Sequence, residues 1–195
     1  MALFDFGRGK RKAPRSAADR LASGSWTCSS CDATHGWPFD LAAAAPDCWP
    51  HDRVHAPNSM IRFDGDFLSE DFCVMDGEYF MVRCVLSFPV IGVPGEFGWG
   101  CWSTLSRENF ETYVMGFDEG VYENDGPWTG WLMNGLADMT DGKEPLELWV
   151  EPQPGRQRSR LWAAREGHPL KRAQQDGITA ERMLEIFAYY GHAPA

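Results

Sequence analysis

The chain contains no apolar run approaching the roughly 20 residues that a bilayer-crossing helix needs, so no membrane span is expected. Its first residues, MALFDFGRGKRK, lack an apolar stretch followed by a small-residue cleavage site, the pattern of a secretory signal. The cytoplasm is therefore the expected compartment. Also missing are the G-x-S-x-G nucleophile elbow, the G-x-x-x-x-G-K-S/T phosphate loop and the G-x-G-x-x-G dinucleotide fingerprint. There is no internal repeat. Basic charge is scarce outside the beginning of the chain. Residues 1–20 hold six Lys and Arg against two Asp and Glu, whereas the other 175 hold twelve against twenty-six. Phosphate contacts need clustered Lys and Arg, so this acidic body argues against a dedicated nucleic-acid surface, and no nucleic-acid partner is expected. The cluster Arg8, Lys10, Arg11, Lys12 and Arg15 is expected to sit in a solvated, disordered tail covering residues 1–24.

What is present suits a packed domain. Of 195 residues, 44% are apolar and 13% aromatic, including nine tryptophans, which is enough for a substantial core. Residues 25–192 read as a single domain. Within it, 25–60 form an irregular segment interrupted by Pro38, Pro46, Pro50 and Pro57, and 61–192 supply a sheet and helices.

The stretch from Asp71 to Leu105 organises the fold reading. Asp76-Gly77 signals a turn, Tyr79–Phe88 is rich in β-formers, and Pro89–Glu96 reads as a loop. Phe97–Leu105 alternates with period two, with Phe97, Trp99 and Cys101 on one face and Trp102 and Thr104 on the other. Ser106 caps a helix from Arg107 to about Met115, with Leu105 and Phe110 as a hydrophobic staple. Further strands are expected at Trp128–Asn134, Leu146–Val150 and Arg160–Ala164, and a break at Gly167–Leu170. A last helix, capped by Thr179, covers Ala180–Tyr190 and stops at Gly191. The fold class is α+β: a mostly antiparallel sheet of about five or six strands covered by two or more helices, preceded by an irregular Cys-x2-Cys knuckle segment.

Cys28-Ser29-Ser30-Cys31 is the one motif with a chemistry attached. A turn at C-x2-C spacing brings both sulfurs to the same side, as in zinc ribbons and fingers, and His35 is well spaced for a third ligand. No second knuckle exists. The fourth ligand would come from Cys48, His51, His55, Cys73 or Cys84, with Cys73 carried as the candidate, or be a water. A surface turn with free thiols and a redox dithiol remain alternatives, the latter lacking the usual βαβ context. Six cysteines in a cytoplasmic chain point to thiols or metal rather than a disulfide framework.

The blocks C-x2-C-x3-H, Asp71-x-Cys73, Tyr79-Phe80-x-x-Arg83, FGWGCWSTLS, GWLMNGL, Leu146-Glu147-Leu148 and HPLKRAQQDGIT occur in an order that resembles the bacterial domain-of-unknown-function family 2199, from about Trp26 to His192. Cys28, Cys31 and His35 belong to that pattern. Many relatives have Gly where this chain has Asp32, and Arg-Gly where it has Arg83-Cys84. The resemblance implies no established activity. The working expectation is a non-enzymatic binding or interaction domain with a structural zinc ion at Cys28, Cys31, His35 and Cys73. Trp99, Trp102, Arg83 and His168 are the candidate binding residues for a protein or small-molecule partner. The alternative is a metal-dependent, hydrolase-like enzyme with an open coordination position on zinc.

Overall fold

Long β-former runs with few breakers favour paired, extended backbone, and two of them build the spine of this molecule. The computed structural model describes residues 15–23, 25–28, 30–122, 126–136, 139–140 and 144–192. Its element order is α1 (Ala17–Ala22), β1 (Ser25–Thr27), β2 (Thr34–Gly36), β3 (Leu41–Ala42), β4 (Phe67–Leu68), β5 (Phe72–Met75), β6 (Tyr79–Ile91), β7 (Glu96–Leu105), α2 (Arg107–Gly116), β8 (Trp128–Trp131), β9 (Glu147–Glu151), β10 (Arg160–Ala163), α3 (Pro169–Asp176), β11 (Ile178–Thr179) and α4 (Ala180–Tyr189). Strands β6 and β7 form a long antiparallel hairpin, from Phe80 opposite Leu105 to Pro89 opposite Glu96.

The main sheet runs β3-β7-β6-β10-β9-β8, and β5 and β11 also pair with β6 while β4 pairs with β5. The α+β class holds. The expected sheet is right only in part: the pairings β4–β5, β5–β6, β6–β7, β8–β9 and β9–β10 are antiparallel, but the sheet is mixed and has nine strands among the described residues rather than five or six. Pairings β3–β7, β6–β10 and β6–β11 are parallel. The extra strands β3, β4 and β11 are two residues each, too short for a period of two to show in the sequence. They exist because β7, β5 and β6 each expose ladder groups that a passing segment can satisfy, β3 on β7, β4 on β5 and β11 on β6.

Alternation in β6 and β7 sends large apolar side chains to both faces. Phe80, Cys84, Leu86 and Phe88 with Phe97, Trp99 and Cys101 enter the larger core. Helices α2, α3 and α4 add Phe110, Tyr113, Leu170, Met183, Ile186 and Phe187 to that core. The opposite face carries a smaller cluster, Met81, Cys73, Leu68 and Trp102 with Ala45, partly roofed by Ala43 and Trp49 from the irregular segment. Burying a large apolar side chain of this kind contributes about 1.5–3 kcal/mol, which is what anchors a proline-rich stretch to the sheet.

Helix ends follow local chemistry. The Ser106 hydroxyl accepts from the Asn109 amide at 3.2 Å and opens α2. The Thr179 hydroxyl accepts from Arg182 N at 3.1 Å and opens α4. Helix α3 stands where a break was expected. His168 caps it by accepting from Leu170 N, and Pro169 takes the first turn, where its missing N–H costs nothing. Strand β6 runs on through Pro89 to Ile91, where a loop was expected, because β11 pairs with Val90 and Ile91 there.

Residues 1–14 and 24 of the expected basic tail lie outside the described residues. In the described part, Ser16 and Asp19 form a reciprocal capping box, and Leu21 of α1 is fully buried in the larger core, with α4 alongside. One leucine at a helical spacing carries too little pattern for the sequence to announce that contact.

Candidate metal centre

Strands β1 and β2 pair antiparallel with Trp26 opposite His35, and the turn between them holds Cys28 and Cys31. Cys28 N donates to the Ala33 carbonyl at 2.9 Å and Asp32 N to the Cys28 carbonyl at 3.0 Å, closing a tight knuckle. Asp32 takes a φ of +55°, a left-handed conformation that Asp tolerates and Gly adopts freely.

The fourth corner comes from the far end of the chain. Helix α4 ends at Tyr189 with Tyr190 as its cap, and Gly191 follows with a φ of +76° that lets the chain turn back; a Cβ there would lie 3.3 Å from the Ser30 hydroxyl. His192 follows. Its amide donates to the Phe187 carbonyl at 2.7 Å and its carbonyl accepts from the Trp26 indole at 3.1 Å. Its ring is thereby placed over the knuckle. The ligand atoms of Cys28, Cys31, His35 and His192 all lie within 4.8 Å of one another.

The spacing is that of a coordination shell. Cys31 Sγ lies 3.2 Å from His35 Nε2 and 3.7 Å from His192 Nδ1, and Cys28 Sγ lies 3.6 Å from His192 Nδ1. A tetrahedral ion with ordinary Zn–S and Zn–N bonds separates sulfur from nitrogen by about 3.5 Å. Cys28 is buried, His35 and His192 are half-buried and Cys31 is exposed. The Ser30 amide donates to the Cys28 sulfur at 3.4 Å. That hydrogen bond above all, with further help from the Cys31 amide and His192 and against the effect of burial, lowers the Cys28 thiol to about 6. A thiolate is the form that binds metal.

Aromatic rings wall the site. The His35 ring sits 4.0 Å from Phe39 and 5.8 Å from Trp26, and Phe39 also contacts His192 at 5.4 Å. Trp26 and Phe39 both reach Phe187 of α4, so the knuckle and the last helix share one aromatic cluster.

The other expected site residues lie elsewhere. Cys73, the expected fourth ligand, is not part of this group. It is buried in β5 beside Met81 and Trp102, and burial raises its thiol far above the usual range. Cys73 belongs to the smaller cluster, on the other side of the sheet from the larger core that Trp26 and Phe39 of the knuckle segment pack against, whereas His192 was not among the candidates because only folding brings it to the knuckle. Cys84 and Cys101 face each other across β6 and β7, both buried, with thiols pushed up by burial. Trp99 and Trp102, the aromatic binding candidates, are 3% and 0% exposed and belong to the core. The glycines flanking Trp99 explain this. A Cβ on Gly98 would lie 2.8 Å from the Asp40 carboxylate, which instead accepts from Gly98 N at 2.7 Å, so residues 40–42 close over the β7 edge. The exposed tryptophans are Trp131, Trp149 and Trp162 on β8, β9 and β10.

His168 is the cap of α3. Arg83 is half-buried, its pKa pulled down by burial and by Arg158, and its Nε is buried without a partner. Asp71 is held by Arg158 at 3.0 Å. Asp71 and His168 line separate cavities of about 590 and 420 Å³, so they do not form one site. No helix among the described residues is long and apolar enough to cross a membrane.

Neither a curated protein nor a solved structure matches the chain. One family matches over residues 27–178, a span that includes Cys28, Cys31 and His35 and stops short of His192. The chain belongs to that family, DUF2199, uncharacterized proteins conserved in bacteria.

Proposed function

We propose that Cys28, Cys31, His35 and His192 bind one zinc ion in a structural role, and that the chain is a non-enzymatic binding domain of the cytoplasm. The observation that carries the zinc reading is the convergence of two sulfurs and two imidazole nitrogens within 4.8 Å, with three sulfur–nitrogen pairs at 3.2, 3.6 and 3.7 Å, close to the edge of a tetrahedral zinc shell. Soft thiolate and imidazole donors in a Cys2His2 set favour zinc over hard oxygen-loving cations. Four protein donors fill a tetrahedral shell and leave no place for a substrate or activated water, which weighs against the hydrolase alternative. Six free cysteines suit a reducing compartment. The knuckle and the end of α4 are 164 residues apart at Cys28 and His192, so the ion would clamp the two ends of the domain together.

Elemental analysis of tag-free protein, beside a Cys28→Ser/Cys31→Ser variant, tests the proposal. One zinc per chain, lost in the variant together with a large fall in thermal stability, supports it. Zinc lost with no change in stability removes the structural role. Absence of metal in freshly reduced protein prepared without chelator overturns the zinc reading altogether.

A further inference from the structure

A cleft of about 710 Å³ lies where the ends of β7 and β8 meet the start of β6 and the approach to β9, within the usual range for small-molecule sites. It unites two sequence blocks that the metal centre leaves unused: FGWGCWSTLS contributes Thr104, and GWLMNGL contributes Trp131 to Gly135. Trp131 and Tyr79 line it and are 45% and 56% exposed, in contrast to the buried Trp99 and Trp102. The Thr104 hydroxyl accepts from Trp131 N at 2.9 Å, fixing that wall to the hairpin.

The polar end of the cleft is built around Asp47. Asn134, 6% exposed, accepts from Trp102 N at 2.9 Å and donates to the Ala45 carbonyl at 3.0 Å and to Asp47 Oδ1 at 2.9 Å. Gly135 N donates to Asp47 Oδ2 at 2.6 Å. Both donors are neutral. Asp47 is therefore held in place with no cationic partner among the described residues and a lone pair spare on each oxygen. The second lining carboxylate, Glu144, pairs with Arg165 at 2.8 Å. Among the described lining residues there is no Lys, Arg or His.

We propose that this cleft binds a small organic cation, an ammonium or guanidinium head on an apolar stem, with the head on Asp47 and the stem against Trp131 and Tyr79. A neutral apolar ligand would cover the Asp47 carboxylate without replacing its water, and an anion would meet it directly; both are penalised. A cation on an apolar stem gains the carboxylate at its head and apolar contact with Trp131 and Tyr79 along its stem. The formal net charge of −10 draws cations toward the surface from solution. Asn134 acts as a positioning residue for Asp47. The proposal does not depend on zinc.

The test is a ¹H–¹⁵N chemical-shift titration of the full chain with phenethylammonium chloride, and in parallel with 2-phenylethanol, its uncharged analogue of similar shape. Saturable shifts at the Gly135 amide and the Trp131 indole are expected with the ammonium, with binding about ten-fold or more weaker for the alcohol. Asp47→Asn should remove most of that difference, and Trp131→Ala, which truncates a half-exposed ring, should weaken the ammonium several-fold. Equal binding of ammonium and alcohol would reduce the cleft to an apolar groove and overturn the proposal. Absence of saturable shifts at Gly135 and Trp131 in the millimolar range would overturn it as well.

Discussion

Replacing His192 and replacing His35 each remove one imidazole from the candidate metal centre, yet the geometry gives them very different consequences for stability. With His35→Ala, Cys28, Cys31 and His192 remain, and an ion still joins the knuckle to the end of α4 across 164 residues at Cys28 and His192. With His192→Ala, Cys28, Cys31 and His35 remain, and the ion closes only the β1–β2 turn. Chain-entropy arithmetic for a cross-link closing a loop of that long span gives about 5 kcal/mol, and for the local turn about 2 kcal/mol. His192→Ala should therefore cost about 3 kcal/mol more than His35→Ala at equal zinc occupancy. The hydrogen bond from Trp26 ends on the His192 backbone carbonyl, so the substitution leaves it in place. Urea unfolding at saturating zinc, with stoichiometry checked for each variant, reads the difference as a midpoint shift on the order of 1–2 M. Amide exchange adds a local readout: protection in α4 should fall in His192→Ala and persist in His35→Ala. Equal midpoints for the two zinc-loaded variants would refute the clamp, because the long loop would then contribute nothing.

Other substitutions test the surrounding structure. Asp32→Gly relieves a left-handed residue in the knuckle and should stabilise the zinc-loaded protein by about 0.5–1 kcal/mol, seen as a rise in Tm. Gly130→Ala would drive a methyl group into the Ser103 hydroxyl and the Thr104 carbonyl, and should destabilise by about 1–3 kcal/mol in chemical denaturation. Gln174 of α3 accepts from Ala163 N at 2.9 Å and donates to the Leu161 carbonyl at 2.7 Å, acting as a side-chain continuation of the ladder at β10. Gln174→Leu leaves both buried groups unpaired and should cost about 2–4 kcal/mol by the same assay. Thr179→Ala removes the cap of α4 and should cost about 1 kcal/mol.

Much of the architecture was legible because it rests on local rules. Ser106 and Thr179 announce α2 and α4 through the first-turn amides, and Gly191 marks the end of α4 by its positive φ. The two faces of β7 follow from alternation alone, with Phe97, Trp99 and Cys101 on one core and Trp102 on the other. The misread stretches have physical causes of the same local kind. His168-Pro169 suggests a break to anyone counting prolines, but an imidazole nitrogen can cap a helix and Pro suits its first turn. Glycines around Trp99 suggest a presented ring, but here they make room for residues 40–42.

The sequence by itself determined the family, the α+β class, the capped helices, the central hairpin and three of the four converging metal-ligand candidates, since each is written within a dozen or so neighbouring residues or a recurring block. Tertiary structure alone decided the parallel pairings of β3, β10 and β11, the burial of Trp99 and Trp102, the cleft beside Asp47, and the place of His192. Those depend on contacts between segments far apart in the chain. A lone histidine beyond a helix end carries no spacing signal until Gly191 turns it back and Trp26 holds its carbonyl against the knuckle.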